Sequence, residues 1–488
     1  MISSYLAIDL GTTGCRSIVF DDKLDPVANE YREYGLSTPC EDYVEQDALL
    51  WWELTLETMK EALKKAGPEY EIRGISVSSQ GITVVPVDES LDPLYPAISW
   101  LDQRAVSQAG QIIQMLGEKE MFALTGKPVT PGYTLPKILW LREYQPEVAA
   151  RTYKYLMPMD YLIAKLTGKI CTDHSMASGT LMYDIKNCEW SSKVLDAFGL
   201  SEDLLPELKW SGECAGTVLP EIADAVGIGR NCPVAVGAQD QKCAALGAGL
   251  SGKGITVSLG TAAAISRLWN EPAIDPDDRR IGWCGYVKKG TWDMEGVINT
   301  AATCLRWVRD TMFPGESYDV INREAQEAME RGSSVMFYPY LSGPSCPDQY
   351  PDSTGCFYGI SLASKRGDIA LSVMRGIAYQ LRIIFETMKA YGSADSAILF
   401  GGGARSPLWC RIIADITRMN VVVLKSDEAA GAGAAILAGV AAGDFTLETC
   451  PKMEVKETYR PGIDAQDADA GYRKYREIEY KLWRSKTV

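Results

Sequence analysis

The chain has 488 residues, of which 46% are hydrophobic and 23% charged, a composition typical of a folded globular protein. This length exceeds what one ordinary hydrophobic core serves, so we expect two large domains. The formal net charge is −15, and lysine and arginine form no cluster along the sequence, which argues against nucleic acid and anionic membranes as partners.

Thirteen dispersed cysteines without a CxxC motif are typical of reduced thiols in a cytosolic protein. No basic segment precedes an apolar run at the start, so we expect no secretory signal. The longest uncharged run, residues 429–443, is too short for a membrane span and predicts a tightly packed buried helix. The single histidine, His174, excludes a histidine-rich zinc site, and we expect any general base to be a carboxylate.

The first predicted elements form a hairpin. An apolar strand at residues 5–10 carries one carboxylate, Asp9, and the turn at 11–13 (GTT) leads into a second apolar strand. Glycine lets the backbone approach a ligand, and N–H and hydroxyl groups in such turns bind phosphate. The hairpin therefore indicates the phosphate end of a nucleotide site, in which Asp9 can hold Mg²⁺ or its waters. A surface turn carboxylate is the structural alternative.

A helix and further strands follow the hairpin. Asp47 is the expected N-cap and Gly67 the expected end of an amphipathic helix. Residues 71–81 predict a strand that runs into a loop, residues 82–88 predict another strand, and residues 134–152 show helical periodicity. This alternation indicates an α/β chain with mixed sheets.

The second half of the chain repeats the opening pattern. Residues 255–269 again give an apolar strand, Leu-Gly-Thr and an apolar strand, which suggests two related domains, with coincidence as the alternative. We place the boundary near residues 243–254. Residues 396–443 contain a strand that ends in three glycines at 401–403, a helix that begins near Ser406, another strand and the small-residue helix.

Asp240 is a second isolated carboxylate. It follows an apolar strand and opens a helix of small residues. A helix N-cap is the structural interpretation, and a general base that takes the proton of a hydroxyl nucleophile is the functional one. No GxxxxGK[ST] motif occurs, and residues 431–435 lack the GxGxxG spacing, so neither a P-loop nor a dinucleotide fingerprint is present.

These motifs together resemble the FGGY carbohydrate kinases of the actin-like, ribonuclease-H-like ATPase superfamily. The resemblance runs along the whole chain. The matching segments are residues 8–21 (first phosphate motif), 257–261 (second phosphate motif), 399–409 (adenosine motif), and 132–143 and 355–376 (two family signatures). Arg375 departs from the second signature, in which an acidic residue is usual.

The resemblance implies an α/β fold of two ribonuclease-H-like (actin-like ATPase) domains, with mixed sheets flanked by helices and the active-site cleft between them. Residues 1–245 are the expected N-terminal domain, with the sugar site, the first phosphate motif and the catalytic aspartate. Residues 246–488 are the expected C-terminal domain, with the second phosphate motif and the adenosine motif. A cytoplasmic enzyme with a small-molecule sugar or polyol substrate is expected, without nucleic-acid or membrane partners, and a homodimer is the oligomer that the resemblance allows.

The implied activity is ATP-dependent phosphorylation of a sugar or polyol hydroxyl, with ATP and Mg²⁺ as cofactors. Asp240 matches the general base and Asp9 matches the Mg²⁺-associated carboxylate, and both are assigned as catalytic. The expected ATP contacts are Thr12, Thr13, Arg16, Thr261, Gly402, Gly403 and Ala404. The expected substrate contacts are Gln80, Gly81, Trp100, Asp102, Asp240 and Gln241.

The identity of the sugar is less well defined. Glycerol kinases usually carry Arg-Glu after the glutamine that matches Gln80, and xylulose kinases usually carry Met-His, whereas this chain has Gly81 and Ile82. Glycerol is therefore a poor candidate, and the chain departs from xylulose kinases as well. Gln241 is closer to the glycerol kinase arrangement.

Residues 98–104 resemble the Trp-x-Asp-x-Arg segment of pentulose kinases. Trp100 could stack on the sugar, and Asp102 could accept hydroxyl hydrogen bonds or, alternatively, form a structural ion pair with Arg104. We therefore predict transfer to a primary hydroxyl of a ketopentose such as xylulose. Gluconate, a tetritol and a deoxy-ketose stay open as acceptors, and a conformational ATPase without a sugar acceptor is the competing class.

Overall fold

The computed structural model describes residues 1–343, 345–348, 350 and 352–483. The strands, in chain order, are β1 (Ile2–Leu10), β2 (Gly14–Asp21), β3 (Pro26–Glu33), β4 (Glu45–Gln46), β5 (Tyr70–Ser79), β6 (Val85–Val87), β7 (Ala97–Ile98), β8 (Lys154–Leu156), β9 (Cys171–Asp173), β10 (Tyr183–Asp184), β11 (Glu189–Trp190), β12 (Glu207–Lys209), β13 (Cys214–Thr217), β14 (Pro233–Gln239), β15 (Gly254–Leu259), β16 (Ala263–Trp269), β17 (Gly282–Gly285), β18 (Trp292–Ile298), β19 (Met336–Tyr338), β20 (Cys356–Tyr358), β21 (Ser396–Phe400), β22 (Asn420–Leu424) and β23 (Val455–Tyr459).

The α-helices, in chain order, are α1 (Ala48–Ala66), α2 (Val106–Leu116), α3 (Glu118–Thr125), α4 (Thr134–Tyr144), α5 (Pro146–Arg151), α6 (Pro158–Thr167), α7 (His174–Ala177), α8 (Ser192–Phe198), α9 (Pro220–Val226), α10 (Asp240–Gly247), α11 (Ala302–Met312), α12 (Tyr318–Glu330), α13 (Arg366–Met388), α14 (Pro407–Thr417), α15 (Ala429–Ala442) and α16 (Ala465–Leu482).

The chain divides into two compact units. The first comprises residues 1–249, 269–293 and 428–453, and the second comprises the rest of the described chain. Two later segments therefore belong to the first unit. The division into residues 1–245 and 246–488 stays a prediction of the sequence.

The first unit contains a six-stranded mixed sheet with the order β13-β14-β5-β1-β2-β3. Strands β1, β2 and β3 are antiparallel neighbours, whereas β1, β5 and β14 run parallel. Their apolar side chains, among them Ile8, Val77 and Val236, are fully buried in one core with Trp51 of α1 and Leu162 of α6. The predicted alternation of strands and helices is confirmed here.

The second unit contains most of a seven-stranded mixed sheet with the order β17-β18-β16-β15-β21-β22-β23. Strands β15 and β16 form an antiparallel hairpin, and β15, β21 and β22 run parallel. The first sheet has the same pattern, a hairpin whose first strand continues into parallel neighbours. The repeated sequence pattern thus corresponds to a repeated structural arrangement.

The predicted ends of several elements agree with the structure. Asp47 caps α1, because its side chain accepts from the backbone N–H groups of Leu49 and Leu50, and Gly67 ends the helix with a positive φ of 94°. The strand predicted for residues 82–88 is shorter and covers only β6. Ile82 has a φ of 71° in the left-handed region, so the chain turns there before the strand begins.

Helices α10 and α15 of the first unit contact each other backbone to backbone. A Cβ atom at Gly247 would lie 2.0 Å from the carbonyl oxygen of Ala429, and one at Gly433 would lie 1.9 Å from that of Cys243. The prediction of a buried small-residue helix is confirmed by α15, whose residues 431–439 are all buried. Within the described ranges, every helix is too short or too polar to cross a membrane.

Candidate active site

Three predicted site residues lie at one edge of the first sheet. Asp9 is near the end of β1, Gln80 follows the last residue of β5, and Asp240 follows the last residue of β14. The register places Asp9 beside Ser78 and Ser78 beside Ala238. Because these strands are parallel neighbours, their carboxyl ends meet at the same edge, where α/β sheets bind ligands.

Asp9 is a partly buried carboxylate with a defined partner. The hydroxyl of Ser78 donates to Asp9 Oδ1 over 2.9 Å. Burial raises the pKa of Asp9, while the Ser78 hydrogen bond and the charge of Arg16 oppose this shift. Arg16 stands opposite Asp9 in the β1–β2 pair and forms an ion pair with Glu428 over 2.5 Å. The positive charge of Arg16 thus offsets part of the cost of burying the ionised Asp9 carboxylate.

The residues around Asp9 fit a Mg²⁺ ion that is held largely by substrate phosphates. No group of three or more metal-ligating side chains is found among the described residues. Mg²⁺ does not need such a group, since it commonly takes one or two protein carboxylates together with phosphate oxygens and water. Asp9 beside the Gly-Thr-Thr turn provides that arrangement.

The predicted phosphate turn is a tight backbone turn. The N–H of Gly11 donates to the carbonyl oxygen of Gly14 over 2.9 Å, and the Tyr34 hydroxyl donates to the carbonyl oxygen of Gly11. Thr13 is exposed and Thr12 half-buried. Both threonines are therefore accessible at the end of the hairpin.

Five residues of the first unit form a closed ring of hydrogen bonds. Trp100 Nε1 donates to Thr12 Oγ1 over 3.0 Å, and the backbone N–H of Trp100 donates to Thr83 Oγ1 over 3.1 Å. Thr83 Oγ1 donates to Gln80 Oε1 over 3.4 Å. Gln80 Nε2 donates to Gln46 Oε1 over 2.9 Å, and Gln46 Nε2 donates to the Thr12 carbonyl oxygen over 2.6 Å. The ring joins the predicted phosphate turn to the predicted sugar contacts.

Gln46 is a residue of this ring that the sequence did not single out. It lies in the two-residue strand β4, which pairs with β7 just before Trp100. Its side chain is 2% exposed. No local signal in the sequence distinguishes Gln46 from an ordinary polar residue ahead of a helix.

Asp240 is the first residue of α10 and is not its N-cap, which is Gln239. The side-chain amide of Gln239 donates to Asp240 Oδ1 over 2.5 Å, and the backbone N–H of Gln241 donates to the same oxygen over 2.7 Å. The N-terminus of a helix favours a negative charge. Asp240 is thus an oriented carboxylate at the sheet edge. Gly81 lies against the preceding residue, since a Cβ at Gly81 would lie 3.1 Å from Cγ of Gln239.

Asp102 forms the ion pair that the sequence left open as an alternative. It is 0% exposed, and Arg104 Nη2 lies 2.8 Å from its Oδ2. The backbone N–H of Val44 donates to Oδ2 over 2.6 Å, and that of Arg104 donates to Oδ1 over 2.9 Å. Arg104 also pairs with Glu45. Both oxygens of Asp102 are engaged within the protein, whereas the neighbouring Trp100 is 42% exposed.

Burial shifts two other ionisable groups of the first unit toward their neutral forms. Burial lowers the pKa of His174 to about 4, and its ring stacks on Trp210 at 3.8 Å between ring centres. This agrees with a non-catalytic histidine. Burial also lowers the pKa of Lys137 to about 7. Lys137 Nζ donates a long hydrogen bond of 3.5 Å to the Ile82 carbonyl oxygen.

The second unit contains a cavity of about 420 Å³ that includes several predicted ATP contacts. Thr261, Gly402 and Gly403 line it, and Ala404 is buried beside them. A Cβ at Gly403 would lie 2.5 Å from Cγ of Leu259, so a larger residue there would have to displace the Leu259 side chain. Residues that the sequence did not assign also line the cavity: Thr303, Arg306, Tyr318, Asp319, Asn322, Arg405 and Trp409.

Comparisons with known proteins agree with this arrangement. The model of the FGGY carbohydrate kinase N-terminal domain matches residues 4–247, and that of the C-terminal domain matches residues 255–442. The chain belongs to the FGGY family of carbohydrate kinases. It is an enzyme of that class, and ATP use follows from the class.

Individual relatives extend this similarity over nearly the whole chain. A xylulose kinase of Lactococcus lactis is 32% identical over 98% of this chain and 95% of its own length. A gluconokinase of Bacillus subtilis is 31% identical over 94% and 92%, respectively. A crystal structure described as a "xyloylose kinase" from Brucella ovis superimposes with a TM-score of 0.90, 29% identity and coverage of 98% of this chain and 99% of that one. The predicted two-domain actin-like fold is confirmed.

Proposed function

We propose that this kinase transfers the γ-phosphate of ATP to a primary hydroxyl of a ketopentose such as xylulose, with Asp240 as the general base. The observation that supports this most directly is the position of Asp240. It is an oriented carboxylate at the sheet edge that also carries Asp9, Gln80 and Gly81.

In the proposed reaction, the hydroxyl oxygen of the sugar forms a bond to the γ-phosphorus. The bond between that phosphorus and the bridging oxygen of ATP breaks, and ADP leaves with the electron pair. Asp240 accepts the hydroxyl proton as the new bond forms and later returns it to water. Phosphoryl transfer depends mainly on positioning and on neutralising charge, so one oriented base is sufficient protein chemistry.

The remaining site residues are proposed to bind and orient the substrates. Thr12, Thr13 and Thr261 contact phosphate oxygens, and Gly402, Gly403 and Ala404 adjoin the base and ribose. Asp9 holds Mg²⁺, which when bound neutralises charge on the phosphates. Arg16 is proposed as an ATP contact, although its guanidinium also pairs with Glu428.

For the sugar, we propose that Trp100 stacks on its apolar face and that Gln80, Gly81, Asp240 and Gln241 line the acceptor site. Gly81 and Ile82 stand where glycerol kinases usually carry Arg-Glu, so the polar clamp for a small triol is missing and glycerol is disfavoured. Asp102 is proposed to act on this site indirectly, because its ion pair with Arg104 fixes the segment that carries Trp100.

The test is ADP release in the presence of Mg²⁺ and ATP, measured across ketopentoses, polyols, ketohexoses and aldonic acids. We expect xylulose or another ketopentose to give the highest kcat/KM, with the phosphate on the primary hydroxyl by phosphorus NMR. A preference for gluconate instead would establish the alternative that the gluconokinase relative supports. Stimulation by no ketopentose and no aldonic acid would contradict both proposals.

Three further assignments rest on the sequence and stay predictions. The sugar site is assigned to residues 1–245 and the adenosine site to residues 246–488. The homodimer is inferred from the family resemblance, and the cytoplasmic location from the dispersed cysteines.

A further inference from the structure

The second unit contains a smaller recess of about 200 Å³, distinct from the cavity that holds the adenosine motif. It lies between β19 with the residues just before it, helix α13 and helix α16. Its polar side chains include those of Ser334, Arg375, Tyr379 and Lys474, and Val335 and Phe337 supply apolar wall. Among the described residues, no aspartate or glutamate lines the recess.

Arg375 is the central charge of this recess. Its Nη1 donates to the Ser333 carbonyl oxygen over 2.8 Å, and no carboxylate of the described chain lies within ion-pair distance. A guanidinium carries five N–H donors in a planar fork, so most of its donor capacity is not used by this bond. Burial lowers the pKa of Arg375, which expresses the cost of holding this charge away from water.

Arg382 of the same helix provides a comparison, because its charge is paired within the protein. It lies seven residues further along α13 and pairs with Glu386 over 3.0 Å and with Asp469 over 2.5 Å. A buried charge is normally compensated in this way. Arg375 lacks such compensation, although the chain as a whole has a net charge of −15 and many carboxylates to supply it.

The acidic residue at the start of the same helix, Asp368, already has partners. Asp368 accepts from the backbone N–H of Lys365 over 2.7 Å at the start of α13 and lies 3.3 Å from Arg331. Its charge is therefore balanced at the helix terminus and by Arg331. It does not line the recess with Arg375.

We propose that the recess binds a small oxyanion, either inorganic phosphate or the phosphate group of a small phosphate ester, through Arg375 and Lys474. The planar fork of arginine matches oxyanions with two parallel hydrogen bonds. The Tyr379 and Ser334 hydroxyls line the same recess and provide further donors. Glycine at position 471 leaves room for Tyr379, because a Cβ there would lie 2.7 Å from its hydroxyl.

The test is calorimetric titration of the full chain with phosphate at constant ionic strength, with MgADP saturating the nucleotide site. We expect saturable binding that Arg375→Gln weakens at least tenfold, since it removes a charge-assisted pair, and that Lys474→Gln weakens about threefold. Arg375→Glu should abolish it. Lys389→Gln, an exposed lysine change elsewhere in the second unit, is the control and should leave the affinity within twofold.

A phosphate affinity that Arg375→Gln leaves unchanged, or no binding by the unaltered chain, overturns the proposal. If Arg375→Gln fails to fold, the phosphate affinity of Lys474→Gln decides between the outcomes. This side chain is exposed, so its replacement should not disturb the core. A second titration with a pentose 5-phosphate identifies the source: tighter binding than phosphate indicates a metabolite, and equal binding indicates the free ion. Because a pentose 5-phosphate is also the proposed reaction product and can bind at the catalytic site, only the part of its affinity that Arg375→Gln removes is assigned to the recess. The titration with phosphate, and its loss in Arg375→Gln, is independent of which sugar the kinase phosphorylates.

Discussion

The indole N–H of Trp100 donates a hydrogen bond to the hydroxyl of Thr12 over 3.0 Å. One of these residues is predicted to stack on the sugar and the other to contact phosphate. Gln46, Gln80 and Thr83 close a ring of hydrogen bonds around them. The predicted sugar contact Trp100 thus bonds directly to the phosphate turn, and Gln80 reaches the same turn through Gln46.

Trp100→Phe keeps an aromatic ring and removes the N–H donor. We expect a loss of roughly threefold to tenfold in kcat/KM for the sugar and a change in KM for ATP, because one net hydrogen bond contributes about 0.5–1.5 kcal/mol. Thr12→Val removes the other partner. In the double variant the effects should be less than additive. Trp307→Phe, at a similar exposure in the second unit, is the control and should leave both constants unchanged. Strict additivity would contradict the coupling.

Asp240→Asn should lower kcat for sugar phosphorylation by roughly 10²–10⁴, the usual contribution of a general base. The affinity for ATP, measured by calorimetry, should change less than threefold because the amide has nearly the same shape. Asp224→Asn is the matched control, since this aspartate is exposed and pairs with the surface residue Arg230. Activity of Asp240→Asn above one tenth of the original would rule out the assignment as base.

Asp9→Asn should raise the Mg²⁺ concentration for half-maximal activity at least tenfold, because it removes the carboxylate that we propose to hold the ion. Ser78→Ala removes the hydrogen bond to Asp9 but keeps the carboxylate, and should change the Mg²⁺ requirement by less than threefold. The measurement is ADP release against free Mg²⁺ at fixed ATP. An unaltered requirement in Asp9→Asn would place the ion elsewhere.

Lys137→Met should stabilise the protein at neutral pH. The pKa of Lys137 is about 7 in the folded protein, against an ordinary value of 10.5. Between these values the unfolded chain binds more protons, so Lys137 makes the free energy of unfolding rise with pH, by up to about 1.4 kcal/mol per unit. The advantage of Lys137→Met in urea unfolding should therefore shrink between pH 7 and pH 10. Lys64→Met, at an exposed position, should show no such trend, and a pH-independent difference for Lys137 would refute the shift.

Local sequence patterns predicted the elements of the fold well, because they depend on near neighbours. The two hairpins, the capped helix α1 and the buried helix α15 follow from alternation, cap residues and small side chains. The prediction of a strand at residues 82–88 was wrong at its start. Ile82 has a left-handed backbone conformation, which the sequence does not indicate because isoleucine rarely adopts it. Residues 269–293 and 428–453 belong to the first unit although they lie far along the chain. Their assignment depends on long-range packing, which local sequence patterns do not predict.

The same distinction applies to the candidate site. Asp9 and Asp240 stood out because each is a charge beside an apolar strand. Asp102 had two interpretations, and only the tertiary structure, which places Arg104 and Val44 against it, favours the ion pair. Gln46 and Asn322 gave no signal, since polar residues before or within helices are ordinary.

The contact between α10 and α15 has a consequence for how this enzyme can change. Hydrogen atoms at Gly247 and Gly433 set the distance between the two helices, and α10 begins with Asp240. Any larger side chain at either glycine is expected to displace the helix that carries Asp240, the proposed base. Laboratory selection for new acceptors should therefore vary Gly81, Ile82 and their surroundings freely while positions 247 and 433 remain glycine. We therefore expect the close contact of the two helices to be kept in any active variant, whereas the acceptor preference can change.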